Sequence, residues 1–244
     1  MSKKYNVYGI GNALADIVTE VNDQFLSDHK IEKGLMTLVD EESQTRISKA
    51  INMSESNMQC GGSVANSVIA VAQFGGTSYY SCKVANDELG QFYRKDLKDN
   101  GVDTSLDEHE LEEGITGKCL VMTTADASRT MNTYLGITAD YSRKQITEHA
   151  LKDSEYLYIE GYLVTSENGQ DAMKYAKQLA EENGVKVALT FSDPSMVKYF
   201  REPMQEVVGA SVDLLFCNEE EAMLYTGKDN LHDAREALKK DAKR

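Results

Sequence analysis

The stretch Cys60-Gly61-Gly62-Ser63-Val64-Ala65-Asn66-Ser67-Val68-Ile69-Ala70-Val71-Ala72-Gln73-Phe74-Gly75-Gly76 decides how this chain is read. Two glycines open it, Ser63 is placed to cap the following turn, and Val64, Val68, Val71 and Ala72 recur at the spacing of one helical face before a second glycine pair closes it. The stretch therefore reads as a helix with a bare backbone at its entrance. Glycines without Cβ let a ligand approach the main chain, and the first N–H groups of a helix point outward without intrahelical partners. Asn66, one turn in, offers a donor and an acceptor to the same ligand. Glycine pairs also precede helices in ordinary loops, so the motif gains meaning from its surroundings.

Upstream, Tyr5 to Ile10 is a short apolar run leading to Gly9-Ile10-Gly11-Asn12, followed by Ala13-Leu14-Ala15-Asp16 and a second strand-like piece, Ile17-Val18-Thr19-Glu20-Val21. The pattern is strand, turn, strand. Gly9-x-Gly11 lacks the third glycine of a dinucleotide fingerprint and leads into no crossover helix, so a Rossmann-type cofactor site is set aside. What remains is Asn12 and Asp16 at the carboxyl end of a central strand, where open α/β sheets place their ligands; an ordinary turn aspartate is the plainer alternative. Residues 22–59 are polar and broken up, with 34–40 the only strand-like run, and so long an excursion is expected to carry structure such as part of a small lid sheet. A second lid piece follows downstream, where 117–124 and 129–135 flank a polar turn as a hairpin.

Between the two, Leu89, Phe92 and Leu97 mark an amphipathic helix over 86–100 that Gly101 stops. A strand at 156–161, a helix at 169–182 and a strand at 185–191 then make a β-α-β unit. The alternation continues with a helix over 196–208, a strand at 212–217, a helix from Glu219 to about Tyr225 and a charged helix over 231–240. Such alternation predicts a doubly wound, mostly parallel α/β sheet with helices on both faces. Asp16, the Ser192-Asp193-Pro194 turn and Asn218-Glu219-Glu220-Glu221 fall at strand ends, so three clusters distant in sequence are expected to converge on one crevice. For Asn218 the alternative is a helix cap with acids in the first turn, and capping is compatible with a carboxylate of Glu221 facing a hydrated metal.

Composition narrows the partners. The 244 residues carry a hydrophobic fraction of 41% and a net charge of −14, from 40 acidic against 26 basic side chains. That balance argues against nucleic acid and against an anionic membrane surface, though a few local donors can still serve a small anionic substrate. With no apolar run long enough to span a bilayer and no signal-peptide core in Met1-Ser2-Lys3-Lys4-Tyr5-Asn6, a cytoplasmic protein is expected. Cys60, Cys82, Cys119 and Cys217 are scattered without metal-ligand spacing and read as reduced thiols; His29, His109, His149 and His232 stand in polar contexts away from any nucleophile pattern.

Gly61-Gly62-Ser63-Val64-Ala65-Asn66 followed by Phe74-Gly75-Gly76 resembles the N-terminal signature of the PfkB (ribokinase-like) carbohydrate and nucleoside kinases. Other segments agree in order: Gly11 to Asp16 with the family's first strand-turn, Asn86 to Gly90 through Asn100-Gly101-Val102 with its "D-x-x-G … G-V" helix, Thr116-Gly117 and Ser128-Arg129-Thr130 with its lid hairpin, and Asn218 to Glu221 with its N-x-x-E motif. The resemblance implies ATP-dependent phosphoryl transfer to a hydroxyl under a β lid that excludes water, with a lid-mediated homodimer as one form of assembly. It makes Asp16 the carboxylate that holds sugar hydroxyls, with Asn12, Gly61, Gly62 and Asn66 as further substrate contacts. Asn218 and Glu221 would organise ATP phosphate and Mg²⁺, Glu221 through water, and Arg129 would reach the transferring phosphates.

Asn12-Ala13-Leu14, the 34–40 strand, Ser192-Asp193-Pro194 and Phe216-Cys217-Asn218-Glu219 look closest to adenosine-kinase-like members, so a nucleoside is the first expected acceptor and a free sugar the second. Those members tend to carry two aromatics where this chain has Tyr162-Leu163. A larger departure is the family's C-terminal signature, a glycine-alanine-glycine-aspartate turn holding the catalytic base and anion hole, which has no counterpart before Arg244. The expectation is a ribokinase-like domain over 1–244 with its C-terminal part missing, lid segments at approximately 17–40 and 115–136, and a base beyond Arg244. The rival from another class is a non-catalytic nucleoside- or sugar-binding protein on the same scaffold.

Overall fold

The computed structural model describes residues 3–51, 58–108 and 110–243; of the residues named above, Met1, Ser2, His109 and Arg244 lie outside that range. In chain order the strands are β1 (Tyr5–Ile10), β2 (Leu14–Glu20), β3 (Met36–Leu38), β4 (Met58–Gly61), β5 (Ser78–Ser81), β6 (Asp103–Thr104), β7 (Lys118–Thr123), β8 (Arg129–Tyr134), β9 (Ser154–Glu160), β10 (Lys186–Thr190) and β11 (Leu214–Phe216). The helices are α1 (Asp23–Asp28), α2 (Glu41–Ala50), α3 (Ser63–Gln73), α4 (Glu88–Asp99), α5 (Glu148–Lys152), α6 (Glu167–Glu182), α7 (Pro194–Tyr199), α8 (Arg201–Val208), α9 (Glu219–Thr226) and α10 (Leu231–Leu238).

Two sheets result. Six strands in the order β11-β10-β9-β1-β5-β6 pair in parallel throughout. The chain builds outward from β1 through β5 and β6, then returns to place β9 on the other side of β1. The gap between β1 and β9 is thus the point where strand order reverses, and open parallel sheets bind ligands beyond the carboxyl ends there. Side-chain alternation assigns the faces: Tyr8, Ile10, Tyr79, Leu157 and Ile159 join the core that α5, α6 and α8 cover, whereas Val7, Tyr80 and Tyr158 meet Val64, Val68, Tyr93 and Leu97 of α3 and α4.

The second sheet, ordered β3-β8-β7-β2-β4, is mixed, with β7 and β8 antiparallel as a hairpin and β2 running parallel to β7. Its own core sits under α1 and α2, where Ile17, Leu120 and Met122 meet Leu26, Ile47 and Ile51. No helix among the described residues is long and apolar enough to cross a membrane.

Several local expectations are corrected. Asp16 does not follow a strand of the parallel sheet; it lies inside β2, because the turn at 11–13 delivers the chain into the second sheet. That turn leads into a strand, which is the physical reason Gly9-x-Gly11 is no dinucleotide loop. Ser63 is the first helical residue and not the cap: Gly62 is the N-cap, at φ +103, a conformation that favours glycine, and it makes no side-chain cap bond. Residues 22–59 hold helices α1 and α2 as well as β3, each opened by a side-chain cap, Asn22 to the Phe25 N–H and Asp40 to the Ser43 N–H. The single helix over 196–208 is two, broken at Phe200, where φ −126 and ψ 34 leave the helical region. The strand expected over 212–217 is only Leu214–Phe216, with Val212 bridged to Ala242.

Candidate functional site

A cavity of about 250 Å³ opens where the carboxyl ends of β1 and β9 face the second sheet. Register builds its wall. Asp16 stands opposite Cys119, Cys119 opposite Thr133 and Thr133 opposite Leu38, so four strands contribute one row to the same face. Two residues along, Met131 stands opposite Met36, and Leu14 and Leu135 close the other side. Residues that alternate with this row, such as Ile17 and Leu120, point into the second sheet's own core. The cavity is therefore polar at Asp16 and Thr133 and apolar at Met36, Leu38, Met131 and Leu135. Across from the sheet stand Asn12, Ser63, Asn66, Glu160, Tyr162 and Met196.

The Asp16 carboxylate accepts no hydrogen bond from the described residues, and burial pushes its pKa up to about 6, with the Arg129 guanidinium working against that rise. Arg129 opens β8, is exposed, lines the same cavity and makes no ion pair with the described residues. Gly61 ends β4 beside Asp16: a Cβ there would stand 2.2 Å from the Asp16 carboxyl carbon, so no side chain fits without displacing the acid. At Gly62 a Cβ would lie 2.4 Å from the Asn12 carbonyl oxygen. Asn12 is 5% exposed; its carbonyl accepts from the Tyr80 hydroxyl at 2.9 Å and its Oδ1 from the Thr138 hydroxyl at 3.4 Å. Asn12, Asp16, Gly62, Asn66 and Arg129 thus line one cavity, with Gly61 behind Asp16.

One residue escaped the sequence reading. Glu160, the last residue of β9, is 1% exposed and lines the cavity. It accepts from the Asn12 N–H at 2.5 Å, from the Ser63 N–H at 3.2 Å and from the Ser63 hydroxyl. The entrance of α3 is therefore taken by an internal carboxylate, which corrects the expectation of free N–H groups awaiting a ligand. Burial raises the Glu160 pKa, and its donors oppose that rise. The available signal was an acid closing the otherwise apolar run Tyr156-Leu157-Tyr158-Ile159. Cys119 and Thr133 were also missed as cavity residues; burial, with Asp16 adding to it, pushes the Cys119 thiol up to about 11.

Asn218 and Glu221, at the start of α9, are not among the residues lining this cavity, but burial raises the pKa of the Tyr162 hydroxyl in its wall and Asp193 and Glu221 both stand close enough to add to that rise. Asn218 and Glu221 form a reciprocal capping box: Asn218 Oδ1 accepts from the Glu221 N–H and Glu221 Oε2 from the Asn218 N–H, both at 2.9 Å. Glu221 is 3% exposed, and burial raises its pKa, with the Asp193 and Glu220 charges adding to it against the Asn218 N–H. Its other oxygen accepts no hydrogen bond from the described residues. Asp193 caps α7 through the Ser195 N–H at 2.8 Å. Among the described residues no three His, Cys, Asp or Glu side chains gather as a metal cluster.

Comparison with known proteins places this geometry. The model of the pfkB family carbohydrate kinase matches residues 34–244. Adenosine kinase 2 of Arabidopsis thaliana is 25% identical over 224 residues, covering 89% of this chain and 64% of that protein. Guanosine-inosine kinase of Escherichia coli (strain K12) is 21% identical over 231 residues, covering 92% of this chain and 53% of that protein. The chain thus spans between 53% and 64% of the length of these two curated relatives. The crystal structure of adenosine kinase from Sinorhizobium meliloti superposes with a TM-score of 0.90 at 31% identity, covering 98% of this chain and 73% of that one.

Proposed function

Since the chain belongs to the pfkB carbohydrate kinase family, we propose that its cavity takes a nucleoside and presents a hydroxyl of that nucleoside for phosphorylation by ATP. The observation that carries this reading is the chemical split of the cavity. Asn12, Asp16 and Asn66 offer acceptors and donors to vicinal hydroxyls, while Met36, Leu38, Met131, Leu135 and Tyr162 suit a flat, weakly polar base. A free sugar would use only the first half. The adenosine and guanosine-inosine kinases among the similar proteins support the same choice.

Phosphoryl transfer demands alignment and stabilisation of charge. We assign the second sheet as the lid that keeps water from the cavity, with Arg129 its cation for the transferring phosphate. Glu221 fits a Mg²⁺ ion: one oxygen is committed to the cap, the other is uncommitted, and Asp193 supplies a second hard carboxylate nearby. The ion would neutralise phosphate charge when bound, held by these residues mostly through water. Asn218 fixes the Glu221 carboxylate in place.

Calorimetry with adenosine, inosine, ribose and fructose, alongside ADP release with Mg-ATP from a chain extended past Arg244 to carry the expected base, tests the proposal. Nucleosides should bind at least roughly tenfold more tightly than ribose, the worth of burying an apolar base against the methionine wall. Equal affinity for ribose would mean that the wall is not used, and binding of none of the four would remove the acceptor reading.

A further inference from the structure

Glu160 is buried in the cavity wall, yet both of its oxygens are already engaged. Oε2 accepts from the Asn12 N–H, in the turn that carries the chain from β1 to β2. Oε1 accepts from the N–H and hydroxyl of Ser63, at the point where the chain leaves β4 for α3. These are two of the junctions between the parallel sheet and the second sheet, and one oxygen holds each. The Asn12 and Ser63 N–H groups can only donate and the Ser63 hydroxyl donates here, so one carboxylate accepts at both junctions. The backbone is shaped around it: a Cβ on Gly11 would stand 2.8 Å from Glu160 Oε2.

We propose that Glu160 is a positioning residue that clasps both inter-sheet junctions, and so fixes Asn12 and the start of α3, with Asn66 one turn on, relative to Asp16. Only its consequence for ligand affinity rests on the proposed function; the clasp stands on the hydrogen bonds.

Glu160→Gln keeps the shape but has one acceptor oxygen, and its NH₂ would face donors at the other junction. Hydrogen exchange should show one of the two amides, Asn12 or Ser63, exchanging at least about tenfold faster, while the other and the Tyr8 and Leu157 amides hold; adenosine affinity by calorimetry should fall roughly tenfold or more. Gly11→Ala, which crowds Oε2 without removing the charge, should loosen the Asn12 amide in particular. Both amides protected and adenosine affinity unchanged in Glu160→Gln would overturn the clasp. Equal loosening of Tyr8 and Leu157 would also overturn it, making Glu160 an ordinary core residue. If the wild-type chain binds no nucleoside or sugar, the function proposed above fails while the exchange measurements still decide the clasp.

Discussion

At Asp16 burial and the Arg129 guanidinium pull in opposite directions, and burial wins, leaving the carboxyl titrating at about 6. In the unfolded chain it would titrate at its ordinary value of 3.8, so the folded state binds the proton more tightly. Stability from this group is then present in full below the ordinary value and is lost as pH rises through about 6. An acid that weakens the fold at neutral pH fits the role proposed for it, with a ligand's hydroxyls donating to the ionised form. Asp16→Asn should therefore raise the melting temperature at pH 7.5, by about 2–4 °C for each kcal/mol recovered, while weakening adenosine binding by roughly one to two powers of ten. In the wild type, affinity should decline toward a tenfold loss per unit as pH falls below about 6, and Asp16→Asn should flatten that profile. Thermal melts and calorimetry across pH 5 to 8 check both, and a variant that neither gains stability nor loses affinity would take Asp16 out of the site. Asp16 was legible in the sequence because an acid after a glycine turn stands out. Glu160 was not, because an acid at the end of an apolar strand looks the same whether it meets solvent or the first turn of a helix nearly 100 residues earlier.

Among the elements, α9 separates capping from chemistry. Its capping box needs an acceptor oxygen at residue 221, which glutamine supplies as well as glutamate. Glu221→Gln should leave the melting temperature within a degree or two and, in a chain extended past Arg244 to carry the expected base, lower Mg-ATP-dependent ADP release by roughly tenfold or more, since only the charge is removed. Asn218→Ala, by contrast, should destabilise by about 1 kcal/mol through the lost cap. Normal turnover in Glu221→Gln would mean that the residue only caps. Elements with strong periodicity and a clear stop were readable: α6 and α4 lie close to their expected ranges, ended by Asn183-Gly184 and Asn100-Gly101. Helices α1 and α2 were not, because their polar sequences bury few side chains and rest on caps. The break at Phe200 does have a signal in Pro203, which has no N–H to give the Tyr199 carbonyl and a ring that crowds it, so one helix ends at Tyr199 and Pro203 is tolerated only in the first turn of the next.

For the molecule as a whole, the alternating elements made the parallel sheet legible, but not which face of the second sheet meets the cavity. Along β7, Cys119, Leu120, Val121 and Met122 are all apolar and all buried, so alternation is silent there, and only pairing with Asp16 assigns Cys119 to the cavity side. The same partition bears on stability. Among the described residues the second sheet's own core has six buried ones, Ile17, Leu26, Ile47, Ile51, Leu120 and Met122, against a cluster several times larger beside β1 and β9. Between α2 and β8, Gln44 Oε1, Ser48 Oγ and Asn132 Oδ1 are buried without partners among the described residues, each a group whose desolvation weakens that packing. Opening of the second sheet should therefore require less free energy than global unfolding. Native-state hydrogen exchange should find β7 and β8 amides opening at lower free energy than those of β1 and β9. A nucleoside that bridges Asp16 on the second sheet with Asn12 of the β1–β2 turn and Asn66 of α3 binds only when both parts are in place. At a hundred times its dissociation constant it should raise the opening free energy of β7 and β8 by up to about 2.7 kcal/mol and narrow the gap to the main sheet. Equal exchange of the two sheets without ligand would show them to be one cooperative unit, and unequal exchange that adenosine leaves unchanged would place its binding on one sheet alone.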